Sequence, residues 1–161
     1  MTPDDINQWA ETLHKARLDN DPIEQISDKI KDFSRADAYS IQEQGIKMRI
    51  QDGEKLIGLK MGLTSEAKRK QMDLDSPLYG ELTDKMEIKN QGVYKIRPQI
   101  HPKIEPELAF LITKELKGTV TREEVLEATG EVYPCMEILD SRYKQFKYFS
   151  MEDVISDNSS S

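Results

Sequence analysis

Residues 101–110 read HPKIEPELAF, and from Ile104 to Ile112 apolar side chains recur at every second position. This alternation predicts a β-strand, because successive side chains of a strand point to opposite faces. Glu105 and Glu107 then share one face, roughly 6.5 to 7 Å apart at a rise of about 3.3 Å per residue. Their carboxylates can therefore converge on one point.

The glutamate face of this predicted strand continues with the apolar residues Ala109 and Leu111. A solvated face would continue with polar residues, so the pattern favours a face that leads into a buried region. Buried like charges repel each other, and they need a proton, a basic partner or a cation. The alternative is an ordinary strand whose acidic outer face is wet.

A third carboxylate and a lysine occur in similar settings. The run EVYPCMEILDS, residues 131–141, predicts a strand with apolar residues on both faces and Glu137 among them. Such a strand is expected to be buried on both faces, and a buried glutamate needs a partner. Lys60 lies among apolar residues and glycines in a second predicted strand, KLIGLKMGL, residues 55–63. A buried salt bridge between Lys60 and Glu137 would account for both residues.

One divalent cation would account for all three glutamates. Carboxylates on rigid strands suit a hard, oxygen-loving ion such as Mg²⁺ or Mn²⁺, whose other octahedral positions are left to water and substrate. Zinc is disfavoured, because His14 and His101 are the only histidines and Cys135 is the single cysteine. The pattern therefore predicts a Mg²⁺ or Mn²⁺ site.

The composition excludes several classes of protein. The 161 residues, 37% apolar and 33% charged, suit one globular domain with a real core. A formal net charge of −7 argues against nucleic acid as a partner, because phosphate binding needs a positive footprint. One cysteine cannot form an internal disulfide, which favours a reducing, cytoplasmic location. The sequence has neither a signal peptide nor an apolar run of about 20 residues, so no membrane partner is expected.

Helical patterns fill the beginning of the chain. Thr2 with Asp5, and Ser34 with Asp37, each form the signature of a capping box at a helix start. Apolar residues at helical spacing predict a further helix over residues 23–33.

Strand and turn patterns dominate after the turn at Asp52 and Gly53. Thr121 and Glu124, again with capping-box spacing, predict the start of a short helix that Gly130 closes. Besides the strands already described, strands are predicted in LYGEL, in KMEI, residues 85–88, and in VYKI, residues 93–96.

The predicted fold class is α+β. It comprises a helical N-terminal cap, residues 1–52, and a β-rich metal-binding core, residues 53–161, together forming one structural domain. The chain ends in DVISDNSSS, which is either a flexible polar tail or the point where a longer chain is cut.

Three runs of the sequence resemble the fumarylacetoacetase-like hydratase and decarboxylase family. They are GLKMGLTSEAKRKQMDLDSPLYGELTD, HPKIEPELAF and EILDSRYKQFKYFSMEDVISDNSSS. The resemblance covers essentially the whole chain and is strongest from about residue 57 onward. The variants DSPLYG and DSRY lean toward the decarboxylase branch. The fold implied is a helical cap on a mixed β-sandwich roll, here lacking the C-terminal strands of that roll.

The resemblance also implies an activity. It is the metal-dependent decarboxylation of 2-oxo-3-hexenedioate (4-oxalocrotonate) to 2-hydroxypenta-2,4-dienoate, in the meta-cleavage degradation of catechol. The alternatives are the reaction of the sister enzyme, 2-oxopent-4-enoate hydratase, and a non-catalytic partner subunit of that hydratase. A homo-oligomer, and a complex with the hydratase, are expected.

The residue roles implied by the resemblance include the four residues with unusual surroundings. They are the metal ligands Glu105, Glu107 and Glu137, the catalytic Lys60, and the substrate-binding residues Asp75, Asn158 and Ser160.

Overall fold

The structure, a computed structural model, describes residues 1–71, 75–95, 100–146 and 150–160. The chain forms two compact units, one made of Met1–Pro102 with Asp140–Ser161 and the other of Lys103–Leu139. Both helices and strands are present, so the mixed fold class is confirmed. The predicted boundary between residues 52 and 53 stays a prediction. Within the described ranges, every helix is too short or too polar to span a lipid bilayer.

The first unit begins with three helices, α1 (Pro3–Asp19), α2 (Ile26–Lys29) and α3 (Arg35–Gln51). Both predicted capping boxes are confirmed, because the Thr2 and Ser34 side chains accept hydrogen bonds from the backbone N–H groups of the third helical residues. These caps satisfy backbone donors that have no partner inside the helix.

The helix predicted over residues 23–33 is wrong in its extent, because α2 has only four residues. The backbone of Ile23 pairs instead with a distant segment. The N–H of Ile23 donates to the carbonyl of Arg142 over 2.9 Å, and the N–H of Lys144 donates to the carbonyl of Ile23 over 3.0 Å. These bridge-type bonds hold Ile23 in an extended conformation, so the helix begins only at Ile26.

Two apolar clusters hold the helices of this unit together. In the first, Leu13 of α1, Ile26 of α2 and Ile41 of α3 pack around Tyr143, whose side chain is fully buried. Its hydroxyl lies 2.8 Å from the Ser156 hydroxyl, so its polar end is satisfied. The second cluster joins α3 to a later strand and a later helix of the chain. It consists of Ala38, Leu78 and Ile155.

Two antiparallel strands, β1 (Leu56–Gly62) and β2 (Leu78–Thr83), complete the first unit together with helices α4 (Glu66–Gln71) and α6 (Met151–Ser156). The strand predicted at residues 85–88 is wrong, since a 3₁₀ turn, Asp84–Met86, runs into irregular chain there. Residues 93–95 are not a strand either, and Ile96 lies outside the described residues. An apolar alternation of four residues forms a strand only where a partner strand is available.

The segment after α6 is folded. Asp157 and Asn158 are buried, and a turn follows them to Ser160. Arg142 donates from Nε to the Asp157 carboxylate and, over 3.0 Å, from a terminal nitrogen to the Asp157 carbonyl oxygen. The flexible-tail alternative is therefore wrong for residues 153–160.

Replacing Arg142 with alanine is expected to destabilise the protein by about 3–5 kcal/mol, because the Asp157 carboxylate would remain buried without its guanidinium partner. Arg35→Ala is the matched control, since its ion pair with Asp75 is exposed and contributes under about 1 kcal/mol. The measurement is urea unfolding followed by circular dichroism. Equal losses in both variants would contradict this account.

The second unit consists of β3 (Lys103–Ile112), α5 (Arg122–Ala128) and β4 (Thr129–Leu139), with β3 and β4 antiparallel. The predicted capping box of Thr121 and Glu124 is confirmed. The expectation that Gly130 closes the helix is wrong, because Gly130 lies inside β4. An added Cβ at Gly130 would meet the Thr113 side chain at 2.6 Å, so the glycine serves close packing.

The predicted burial of β3 and β4 is wrong in this structure. Every residue of β3 is exposed, and β4 is exposed over most of its length. Ile104 and Leu108 retain 61% and 63% of their full exposure. In the described chain this sheet has two strands, and two strands alone do not bury their own side chains.

Candidate functional site

The register of β3 and β4 brings the three predicted glutamate ligands together. Glu105 lies directly opposite Glu137, and Glu107 lies opposite Cys135. Residues directly opposite each other in an antiparallel pair share a face, and so do their diagonal neighbours two residues along. One carboxylate oxygen from each glutamate lies within 4.8 Å of the other two. The cluster of Glu105, Glu107 and Glu137 is called the glutamate cluster below.

The glutamate cluster fits a hard divalent ion. Oxygens on opposite sides of Mg²⁺ are about 4.2 Å apart, and about 5 Å apart around Ca²⁺, given metal–oxygen distances of about 2.1 and 2.5 Å. The observed spacing of up to 4.8 Å needs at most a small side-chain rotation to match either ion. Carboxylate oxygens are also the ligands that these ions prefer.

The glutamate cluster is negatively charged, and this charge affects the neighbouring Cys135. Cys135 is largely exposed, but its partial desolvation raises the pKa of the thiol, and the charges of Glu107 and Glu137 raise it further. Three carboxylates held this close repel one another unless a cation or protons compensate. Two of the glutamates are exposed and Glu137 is half-buried, so the cluster is open to solvent and to an incoming ion.

Lys60 lies in the first unit, on β1, directly opposite Gly80 of β2. Its ammonium group donates a hydrogen bond to the backbone carbonyl oxygen of Ser159. The side chain is partly buried, as the sequence predicts for a lysine among apolar residues. Sequence reasoning missed both Gly80 and Ser159, because nothing local pairs these residues with a lysine so far away along the chain.

Asp75, a predicted substrate-binding residue, is exposed and lies 2.8 Å from the Arg35 guanidinium. The hydrogen bond from Arg35, followed by that from Ser76, holds the pKa of the Asp75 carboxyl below its usual value. Asp75 therefore carries a negative charge at neutral pH. Its contact with substrate stays a prediction.

Asn158 and Ser160, the other predicted substrate-binding residues, form part of the turn after α6. The Asn158 side chain accepts from the N–H of Glu81 over 2.8 Å and donates to the carbonyl of Glu81 over 2.9 Å. It therefore binds the backbone of β2 as a neighbouring strand would. The backbone of Ser160 accepts from the N–H of Asp140 over 3.2 Å. Their contacts with substrate stay predictions.

Comparisons with known proteins give consistent results. A 4-oxalocrotonate decarboxylase from Pseudomonas sp. (strain CF600) is 40% identical over an alignment of 162 positions, which covers 100% of this chain and 61% of that protein. A 2-hydroxypent-2,4-dienoate hydratase from Pseudomonas putida is 34% identical over 157 residues, covering 96% of this chain and 70% of the hydratase. No family model matches.

A solved structure of a 4-oxalocrotonate decarboxylase is also similar to this chain. It is a 4-oxalocrotonate decarboxylase from Pseudomonas putida G7 complexed with magnesium and adipate, with a TM-score of 0.93 and 36% identity. The match covers 100% of this chain and 61% of that one, so the chain spans about three fifths of the decarboxylases it matches. Because the hydratase is 34% identical and this chain covers 70% of it, the chain belongs to the fumarylacetoacetase-like hydratase and decarboxylase family.

Proposed function

We propose that this chain belongs to a metal-dependent decarboxylase that converts 2-oxo-3-hexenedioate to 2-hydroxypenta-2,4-dienoate in catechol meta-cleavage. The glutamate cluster is the observation that carries the proposal, because it gathers three oxygen ligands at metal-binding spacing. Identities of 39–46% to several proteins called 4-oxalocrotonate decarboxylase supply the choice of reaction.

The metal we propose is Mg²⁺, with Mn²⁺ as its substitute. Solved relatives are complexed with magnesium and adipate, and with calcium and acetate, so hard divalent ions and carboxylates accompany this fold. Glu105, Glu107 and Glu137 would hold the ion. When bound, it would supply Lewis acidity at the 2-oxo group of the substrate.

The substrate makes decarboxylation chemically accessible. Its 3,4 double bond makes the C6 carboxylate a vinylogous β-keto acid. When the C5–C6 bond breaks, CO₂ departs and the electron pair spreads from C5 through the double bond to the 2-oxo oxygen. A proton then completes the enol product. Positive charge that is already in place near that oxygen lowers the barrier, since it interacts most strongly once the negative charge has developed.

Lys60 is the proposed catalytic residue of the chain. It can bind a substrate carboxylate, stabilise the developing charge or transfer a proton. Asp75, Asn158 and Ser160 are proposed to contact the substrate. Asn158 would do so with what remains of its hydrogen-bonding capacity, because its amide already binds the backbone of Glu81 at both ends.

We also infer that β3 and β4 belong to a mixed β-sandwich roll whose C-terminal strands are lacking in this chain. Apolar side chains are exposed on both faces of this sheet, for example Leu108 at 63% and Leu111 at 48%. Exposed apolar surface of this kind marks an interaction site in a folded protein.

A cytoplasmic location is proposed from the single cysteine.

The reaction is tested by incubating the purified protein with each candidate substrate. Release of CO₂ from 2-oxo-3-hexenedioate, lost when a chelator is added, is the expected result. No CO₂ release in the presence of Mg²⁺ would overturn the decarboxylase proposal.

The second candidate is the hydratase, favoured by the 34% identity to a hydratase that the chain covers over 70% of its length. It would add water to 2-hydroxypenta-2,4-dienoate and form 4-hydroxy-2-oxopentanoate. The same incubations separate the two activities by product.

A homo-oligomer and a complex with 2-oxopent-4-enoate hydratase are the proposed assemblies. Such a complex would pass an unstable dienol directly to the next enzyme. Sedimentation of the protein alone and mixed with the hydratase tests both. Tight hydratase binding without any metal binding would instead support a non-catalytic partner subunit.

A further inference from the structure

We propose that Gly80 and Asn158 are positioning residues that fix the Lys60 ammonium against the Ser159 carbonyl, so that Lys60 acts as a cation in one place. The inference rests on the proposed function, because it assigns a role to the proposed catalytic lysine. Two independent features carry it, an open slot across β2 and a left-handed turn after α6.

The slot exists because residue 80 has no side chain. Lys60 and Gly80 are paired across β1 and β2. A Cβ added at Gly80 would lie 2.8 Å from Cε of Lys60 and 2.6 Å from the backbone oxygen of Asn158. Both distances are shorter than any real Cβ contact. The lysine side chain therefore crosses β2 through space that only glycine leaves open.

The turn supplies the acceptor. Asn158, Ser159 and Ser160 have φ angles of 50°, 52° and 75°, in the left-handed region that L-residues rarely adopt. Three consecutive residues in this region turn the chain sharply. The carbonyl oxygen of Ser159 thereby reaches Nζ of Lys60.

Such a turn persists only where its surroundings hold it. Before the turn, Arg142 binds the side chain and the carbonyl oxygen of Asp157. Within it, the Asn158 amide pairs with both backbone groups of Glu81, and the Ser159 hydroxyl donates to the carbonyl of Tyr79 over 2.8 Å. The turn is thus attached along β2, the strand that also forms the slot.

This arrangement selects among the roles open to Lys60. A carbonyl oxygen accepts hydrogen bonds and donates none, so it holds Lys60 through the N–H groups of the side-chain nitrogen. A lysine bound in this way is suited to stabilise negative charge or to give up a proton. It is poorly suited to attack a 2-oxo group as a free amine and form a Schiff base.

The first test compares two glycines of the same sheet. Gly80→Ala closes the slot, whereas an added Cβ at Gly58 meets only Leu82, at 4.0 Å. We expect Gly80→Ala to lower kcat at least tenfold and Gly58→Ala to leave it within about twofold. The second readout is the rate at which an amine-specific reagent modifies Lys60, followed by mass spectrometry. The modification rate should rise severalfold in Gly80→Ala and stay unchanged in Gly58→Ala, because only Gly80→Ala separates the Lys60 nitrogen from the Ser159 carbonyl.

Asn158→Gly provides a second variant in case Gly80→Ala does not fold. Glycine accepts the left-handed φ of 50°, so this change removes the amide contacts with Glu81 without adding backbone strain. Faster modification of Lys60 with a lower kcat is expected again. Circular dichroism verifies that each variant is folded.

The outcomes separate this inference from the proposed function. If folded Gly80→Ala or Asn158→Gly leaves both the modification rate and kcat unchanged while Lys60→Ala is inactive, the positioning role is overturned and the catalytic role stands. If Lys60→Ala is fully active, the proposed catalytic role of Lys60 fails. The modification rates then still decide whether Gly80 and Asn158 hold the ammonium.

Discussion

Glu107→Gln is expected to abolish metal-dependent turnover while leaving the fold largely intact, and Glu137→Gln should behave in the same way. Each change removes one of three carboxylates that lie within 4.8 Å of one another. A neutral amide oxygen is a weaker ligand for Mg²⁺ than a carboxylate, because the ion is a hard, doubly charged centre. The expected loss is more than 100-fold in Mg²⁺ affinity or in kcat/KM, about 2.7 kcal/mol or more.

Thermal unfolding sharpens this prediction. Binding to the folded state alone stabilises it by mass action, so Mg²⁺ should raise the Tm of the wild-type protein and not that of the glutamine variants. In chelator the variants should be at least as stable as wild type, because one of three repelling charges has been removed.

Glu115→Gln is the matched control. It makes the same chemical change in the same unit, at an exposed residue paired with Lys117. Its Mg²⁺ affinity, measured by calorimetry, should equal that of wild type. Full activity of Glu107→Gln or Glu137→Gln with chelator present would reject the metal assignment.

Lys60→Ala is expected to lower kcat by about 10²-fold or more, the usual contribution of one positioned acid, base or charge. The ammonium of Lys60 is held by the backbone carbonyl of Ser159, so its loss removes a positioned charge that water replaces poorly. The fold should survive, since alanine leaves the neighbouring Gly80 unobstructed.

The measurement is steady-state kinetics of CO₂ release at saturating Mg²⁺. Lys47→Ala is the control, because that lysine is half-exposed and pairs with Glu43 on the surface of α3. An unchanged kcat for Lys60→Ala would make this lysine structural.

Several elements were predictable from local sequence. The capping boxes at Thr2, Ser34 and Thr121 depend on residues three positions apart, and all three are present in the structure. The alternation in HPKIEPELAF likewise predicts β3 and places Glu105 and Glu107 on one face, because the period of a strand is a property of the backbone itself.

Predictions made from local patterns were wrong where pairing with a distant part of the chain determines the structure. Residues 23–25 are not helical, because the backbone of Ile23 hydrogen-bonds to the segment around Arg142, 119 positions further along the chain. Residues 85–88 are not a strand because none of the described strands pairs with them. The burial expected for β3 failed for the same physical reason, since apolar side chains are buried only where another layer covers them.

The sequence by itself determined the residue types of the candidate site. It also determined that Glu105 and Glu107 lie on the same face of their strand. Only the tertiary structure decided that Glu105 meets Glu137, and that Lys60 meets Gly80 and the Ser159 carbonyl. Side-chain alternation is set by the backbone of a single strand, whereas register is set by pairing between strands that are far apart in the chain.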